Sequence, residues 1–128
     1  MDKKAKILVV DDEEIWRDQI REVLETEGYS ITTVDDGEKA IELMKSNYFN
    51  LVITDIWMET KYRGLEILSY TLNNFKNTAV IVLTALGTTY TAKNAAEKGA
   101  HGFIVKGEYS SSNQGIRNIV AEVLSGQI

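Results

Sequence analysis

Four short runs of apolar residues break an otherwise amphipathic chain, and each ends in a polar residue. Residues 6–10 run into Asp11 and Asp12, and 51–54 into Asp55. Residues 79–83 run into Thr84 and Ala85, and 103–105 into Lys106. Runs of this length and β-branched content, bounded by polar residues, predict strands buried on both faces. A fifth segment, 29–34, alternates and is more polar, as an edge strand would be. Between the runs the apolar spacing changes to the helical period. Ile15, Trp16, Ile20, Val23 and Leu24 predict a first helix that Gly28 stops. Ala40, Ile41 and Met44 predict a second over 38–46, with Asp36 placed to cap it. Leu65, Leu68, Leu72 and Phe75 mark a third over 65–75. A fourth covers about 89–98 and ends at Gly99, and a fifth covers 116–124. Ser110, Ser111, Ser112 and Asn113 form the loop and N-cap before that last helix.

Five strand–helix units in alternation imply an α/β fold. The expected architecture is a doubly wound, five-stranded parallel sheet with right-handed crossovers. The most apolar strands belong at its centre, in the order 2-1-3-4-5. The 128 residues, 44% of them apolar, suit one domain over 1–128. The net charge of −5 and a pI near 4.9 argue against a domain that binds nucleic acid by itself. There is no cysteine, so no disulfide framework and no thiolate metal site. No signal peptide or membrane span is legible, and the expectation is a cytoplasmic protein with no membrane partner.

Ligands of parallel α/β sheets bind outside the carboxyl ends of the strands. Asp11, Asp12, Asp55, Thr84 and Lys106 should therefore meet at one sheet edge. Three carboxylates there repel one another, and a hard divalent cation such as Mg²⁺ relieves this. A hydroxyl and a lysine beside them suit a phosphoryl group.

In these residues, taken in order and each at a strand end, the chain resembles the receiver domain of two-component response regulators over essentially its whole length. The resemblance implies a flavodoxin-like (βα)5 fold and a signalling module, not an enzyme. It implies that Asp55 accepts a phosphoryl group from a sensor histidine kinase or phosphotransfer domain. It also implies Mg²⁺ held by Asp12, Asp55 and the backbone carbonyl of Trp57, with Asp11 either ligating or holding a metal-bound water. Lys106, the Thr84 hydroxyl and the Ala85 backbone N–H would stabilise the phosphoryl oxygens. Thr84 and Phe103 match the switch pair that would alter the face of helix 4, strand 5 and helix 5. Dimerisation through that face is left open.

Other readings stand beside these. Asp11-Asp12 also suits a helix N-terminus, Thr84 a turn hydroxyl, and Phe103 plain core. Ile15 and Trp16 suit a kinase-docking patch. His101, the single histidine, reads as an exposed turn residue. A Mg²⁺-dependent phosphohydrolase would want an aspartate two residues past Asp55, where Trp57 stands. A flavodoxin-like cofactor protein would want a phosphate cradle where Asp11-Asp12 stand.

The chain also departs from the family pattern. Gly107 follows Lys106 in place of a proline, so a trans bond and a freer loop are expected there. This keeps a degenerate, interaction-only receiver open. Glu59 stands where the family often has proline, and Gly64 comes about one residue late, so the loop over 59–63 is longer. Trp57 and Leu86 flank the site without a polar group to orient water, which predicts slow loss of the phosphoryl group.

Overall fold

A computed structural model describes residues 5–58, 64–85 and 89–126, the side chains of 89–92 excepted. The loop over 59–63 and Leu86 lie outside the described residues. Five strands, β1 (Lys6–Val10), β2 (Ser30–Val34), β3 (Leu51–Asp55), β4 (Ala79–Thr84) and β5 (Gly102–Val105), form one sheet. All neighbours are parallel and the order is β2-β1-β3-β4-β5. The expected fold class and strand order are therefore found. The three central strands are buried almost throughout, and the edge strands are only partly covered.

Alternation within each strand builds two cores. Ile7 and Val9 of β1 face α1 (Glu14–Glu25) and α5 (Asn113–Ser125), packing with Ile20, Leu24, Ile116 and Val120. Leu8 and Val10 face the other way, against Ala40 and Met44 of α2 (Gly37–Ser46) and Ile67 of α3 (Gly64–Asn74). Val80 and Val82 of β4 extend that second face toward Leu68 of α3 and Ala95 of α4 (Thr89–Glu97). Asp36 caps α2 as expected, its carboxylate accepting the Lys39 N–H at 2.7 Å.

α2 begins one residue earlier than the apolar periodicity suggests, and α3 and α5 also begin early. α3 starts at Gly64, one residue before the expected position, and α5 at Asn113, three residues before it. In both, a glycine admits the helix start close against backbone. A Cβ on Gly64 would lie 2.1 Å from the Asp55 carbonyl oxygen, and one on Gly115 would lie 2.2 Å from that of Tyr109. Glycine alone avoids the overlap. A short 3₁₀ turn, Tyr109–Ser111, lies between β5 and α5.

Candidate functional site

Parallel register brings the polar strand ends together. Val10 pairs with Thr54, so Asp11 and Asp55 leave neighbouring strands side by side. The Lys106 N–H donates to the Thr84 carbonyl at 2.8 Å, which joins the ends of β4 and β5. Asp11, Asp55, Thr84 and Lys106 are all buried, whereas Asp12, Trp57 and Ala85 are exposed.

The Lys106 ammonium sits among carboxylates. Its Nζ lies 2.8 Å from Asp11 Oδ2, 2.9 Å from Asp55 Oδ2 and 3.1 Å from Glu13 Oε1. The other oxygen of each aspartate is tied to backbone. Asp11 Oδ1 accepts the Glu13 N–H at 2.8 Å, and Asp55 Oδ1 accepts the Trp57 N–H at 3.0 Å. Arg17 clamps the first turn of α1 from outside, its Nη1 donating to the Asp11 carbonyl at 2.7 Å.

These surroundings move the ionisation equilibria. Burial pushes the Asp11 carboxyl up to about 6, and the bond to Lys106 opposes this only in part. Burial also raises Asp55, again against the pull of Lys106. For Lys106 burial acts downward, but the Asp11 and Asp55 carboxylates outweigh it and hold the ammonium above its usual range. One ammonium thus serves two buried carboxylates, with Asp12 adding further negative charge beside Asp55. The site carries excess negative charge.

A cation of higher charge fits that deficit. One oxygen from each of Asp11, Asp12 and Asp55 lies within 4.8 Å of the others, a spread that could hold one metal ion. Asp11 Oδ2 is buried and, although ion-paired, makes no aligned hydrogen bond. An all-oxygen donor set suits Mg²⁺.

The sequence of residues 7–116 matches the response regulator receiver domain family. The chain belongs to that family. NtrX, a nitrogen assimilation regulatory protein of Azorhizobium caulinodans, is 34% identical over 101 residues, covering 78% of this chain and 22% of that protein. The transcriptional regulatory protein DltR of Streptococcus agalactiae is 34% identical over 101 residues, covering 79% and 45% respectively. The chain thus spans less than half the length of either relative. Among solved structures, NtrX from Brucella abortus in complex with ADP matches with a TM-score of 0.90 at 28% identity. That match covers 97% of this chain and 28% of the other. A response regulator receiver domain protein from Clostridium thermocellum matches with a TM-score of 0.84 at 28% identity, over 96% of both chains. The receiver has no described helix long and apolar enough to cross a membrane.

Other details of the receiver site were not legible in its sequence. Glu13 reaches Lys106 across 93 positions of chain, and the Lys106 ammonium lies 5.2 Å from the centroid of the half-buried Trp16 ring. Adjacency to Asp12 was the only signal for Glu13. The loop after Lys106 holds no cis bond among the described residues, and Gly107 takes φ +85°. Two serines brace that loop. Ser110 Oγ accepts the Val105 N–H at 2.8 Å, and Ser111 Oγ accepts the Gly107 N–H at 3.0 Å. Ser111 also donates to the Glu108 carbonyl, and Ser112 caps α5 through the Gly115 N–H. His101 is exposed as expected, yet its Nδ1 accepts the Val80 N–H at 3.1 Å and so closes the start of β4.

Proposed function

We propose that this receiver takes a phosphoryl group on Asp55, from the phosphohistidine of a sensor kinase or phosphotransfer domain, in a Mg²⁺-dependent reaction. The observation that carries this is the pairing of Asp55 Oδ2 with Lys106 Nζ at 2.9 Å, in a buried cluster with Asp11. An Asp55 oxygen attacks phosphorus, the P–N bond breaks, and an acyl phosphate forms while the imidazole leaves. Catalysis of such a transfer is mostly positioning and charge stabilisation. Lys106 places its positive charge on the phosphoryl oxygens, and the Thr84 hydroxyl and Ala85 N–H donate to them. Asp11, Asp12, Asp55 and the Trp57 carbonyl would hold Mg²⁺. When bound, the ion neutralises phosphoryl charge.

The switch rests on Thr84 and Phe103. Thr84 closes β4, and Phe103 packs at the margin of the cluster formed by Ile56, Leu68, Val80, Val82 and Ala95. A phosphoryl group on Asp55 draws Thr84 toward it, Phe103 turns inward, and the face of α4, β5 and α5 changes for a downstream partner or a second copy. Ile15, Trp57 and Tyr109 expose apolar surface on segments leaving the same sheet edge, which suits docking of the phosphodonor.

The test is intact mass after incubation with Mg²⁺ and a small acyl phosphate, with Asp55→Asn in parallel. The expected result is one added phosphoryl group in the parent and none in the variant. Equal labelling of both would sink the assignment of Asp55. No labelling of either, with a cognate kinase also inert, would favour the interaction-only reading.

A further inference from the structure

Lys106 and a divalent cation want the same oxygens. Asp11 and Asp55 each have one oxygen committed to a backbone N–H, and the other, Oδ2, pairs with the ammonium. A cation bound there must loosen Lys106, because like charges at such short range repel strongly. The Lys106 backbone is held by the Thr84 carbonyl and by the serine-braced loop, so the ammonium moves only through its side chain. Gly107 next to it takes a glycine conformation, with open space where a Cβ would be. Among the described contacts two then remain, Glu13 Oε1 at 3.1 Å and the Trp16 ring at 5.2 Å. Both stand at the entry to α1, whose position is set by the Arg17 bond to the Asp11 carbonyl. Glu13 is more than half exposed. Trp16 offers a fixed aromatic face, which attracts an ammonium.

We infer that Glu13 and Trp16 are positioning residues for Lys106, forming a second berth that keeps its ammonium at the site when a divalent cation takes Asp11 and Asp55 from it. Its use in phosphoryl transfer rests on the function proposed above, but its effect on metal binding is measurable without that reaction. With the berth intact, Lys106 yields the aspartates at little cost. With the berth removed, the ammonium stays with the aspartates and competes harder with the cation.

The experiment is a Mg²⁺ titration of the full chain followed by amide NMR shifts. The variants are Trp16→Leu, Trp16→Phe, Glu13→Gln and Glu14→Gln, with Trp16→Leu repeated in a Lys106→Met background. Trp16→Leu and Glu13→Gln are expected to weaken Mg²⁺ binding about three- to ten-fold. Trp16→Phe keeps an aromatic face and should stay near the parent. Glu14→Gln removes the same charge one residue away, on an exposed side chain, and should also stay near it. In the Lys106→Met background, Trp16→Leu should have no effect, because the residue through which it acts is gone. An equal loss with and without Lys106, or no loss from either Trp16→Leu or Glu13→Gln, would overturn the berth, as would a parent that binds no Mg²⁺. Should the parent bind Mg²⁺ but accept no phosphoryl group from any donor, the proposed function fails while the titration still decides the berth. Where both hold, the same two variants also slow phosphoryl uptake at saturating Mg²⁺.

Discussion

Asp11 is ionised at neutral pH in a place that disfavours its charge. Its carboxyl titrates at about 6, raised by burial from the usual 3.8. A raised folded pKa means that the folded state binds the proton more tightly than the unfolded chain. The stabilisation is full below about pH 3.8 and is lost as pH rises through about 6. Without Mg²⁺, stability should therefore decline from pH 4 to 7 by this contribution, with Asp55 acting in the same direction. Asp11→Asn should flatten that slope and stabilise the metal-free receiver at pH 7, by on the order of 1–3 kcal/mol. Urea unfolding across that pH range in chelator checks both, and a steeper slope in the variant would contradict the prediction. Saturating Mg²⁺ should reverse the order, favouring the parent, since a ligand that binds only the folded state stabilises it. Trp57 makes a separate residue-level prediction. The residue is 54% exposed beside the proposed phosphoacceptor, and Trp57→Asn should shorten the lifetime of the phosphorylated form. An unchanged decay by mass spectrometry would remove Trp57 from any shielding role.

Helix starts are set by what they press against. Gly64 brings the first turn of α3 onto the backbone at the end of β3, the strand that carries Asp55. Gly64→Ala must push that backbone aside, and overlap with main chain costs more than overlap with a flexible side chain. The expected loss is about 3 kcal/mol or more, together with slower phosphorylation, read by urea midpoint and by mass. In the loop between β5 and α5, Ser111→Ala leaves the Gly107 N–H and the Glu108 carbonyl without their side-chain partner. That should cost about 1–2 kcal/mol and slow phosphorylation through Lys106. A full-rate Ser111→Ala variant would show that the serine brace does not set the lysine. The strands and most helices were legible because periods of two and 3.6 residues are local properties. The start of α5 was not, since a close backbone approach between segments leaves no periodic trace. The serine cluster read as loop and cap, and one serine of the three, Ser112, is that cap.

At the scale of the molecule, the site and the proposed output surface share strands. The Thr84 carbonyl accepts the Lys106 N–H, and Phe103 lies three residues before that lysine on the edge strand. A change at Thr84 thus reaches the sheet edge within one strand spacing. Moving the receiver from 1:99 to 99:1 in favour of the active form needs about 5.5 kcal/mol of differential stabilisation. Thr84→Ala should leave Asp55 able to take the phosphoryl group but reduce the accompanying NMR shift changes at β5 and α5. Undiminished changes in that variant would move the switch to another residue.

The sequence by itself determined the five strands, their parallel order and the polar residue at the end of four of them, because these follow from local patterning and from the handedness of crossovers. It therefore placed Asp11, Asp12, Asp55, Thr84 and Lys106 at one edge. Only the tertiary structure decided which atoms meet there: the ammonium on Oδ2 of two aspartates, Glu13 and Trp16 beside it, and the serines behind its loop. Such contacts depend on side-chain direction and on how closely segments far apart in the chain approach. A one-dimensional pattern records the composition of a strand end but not the distances between strand ends.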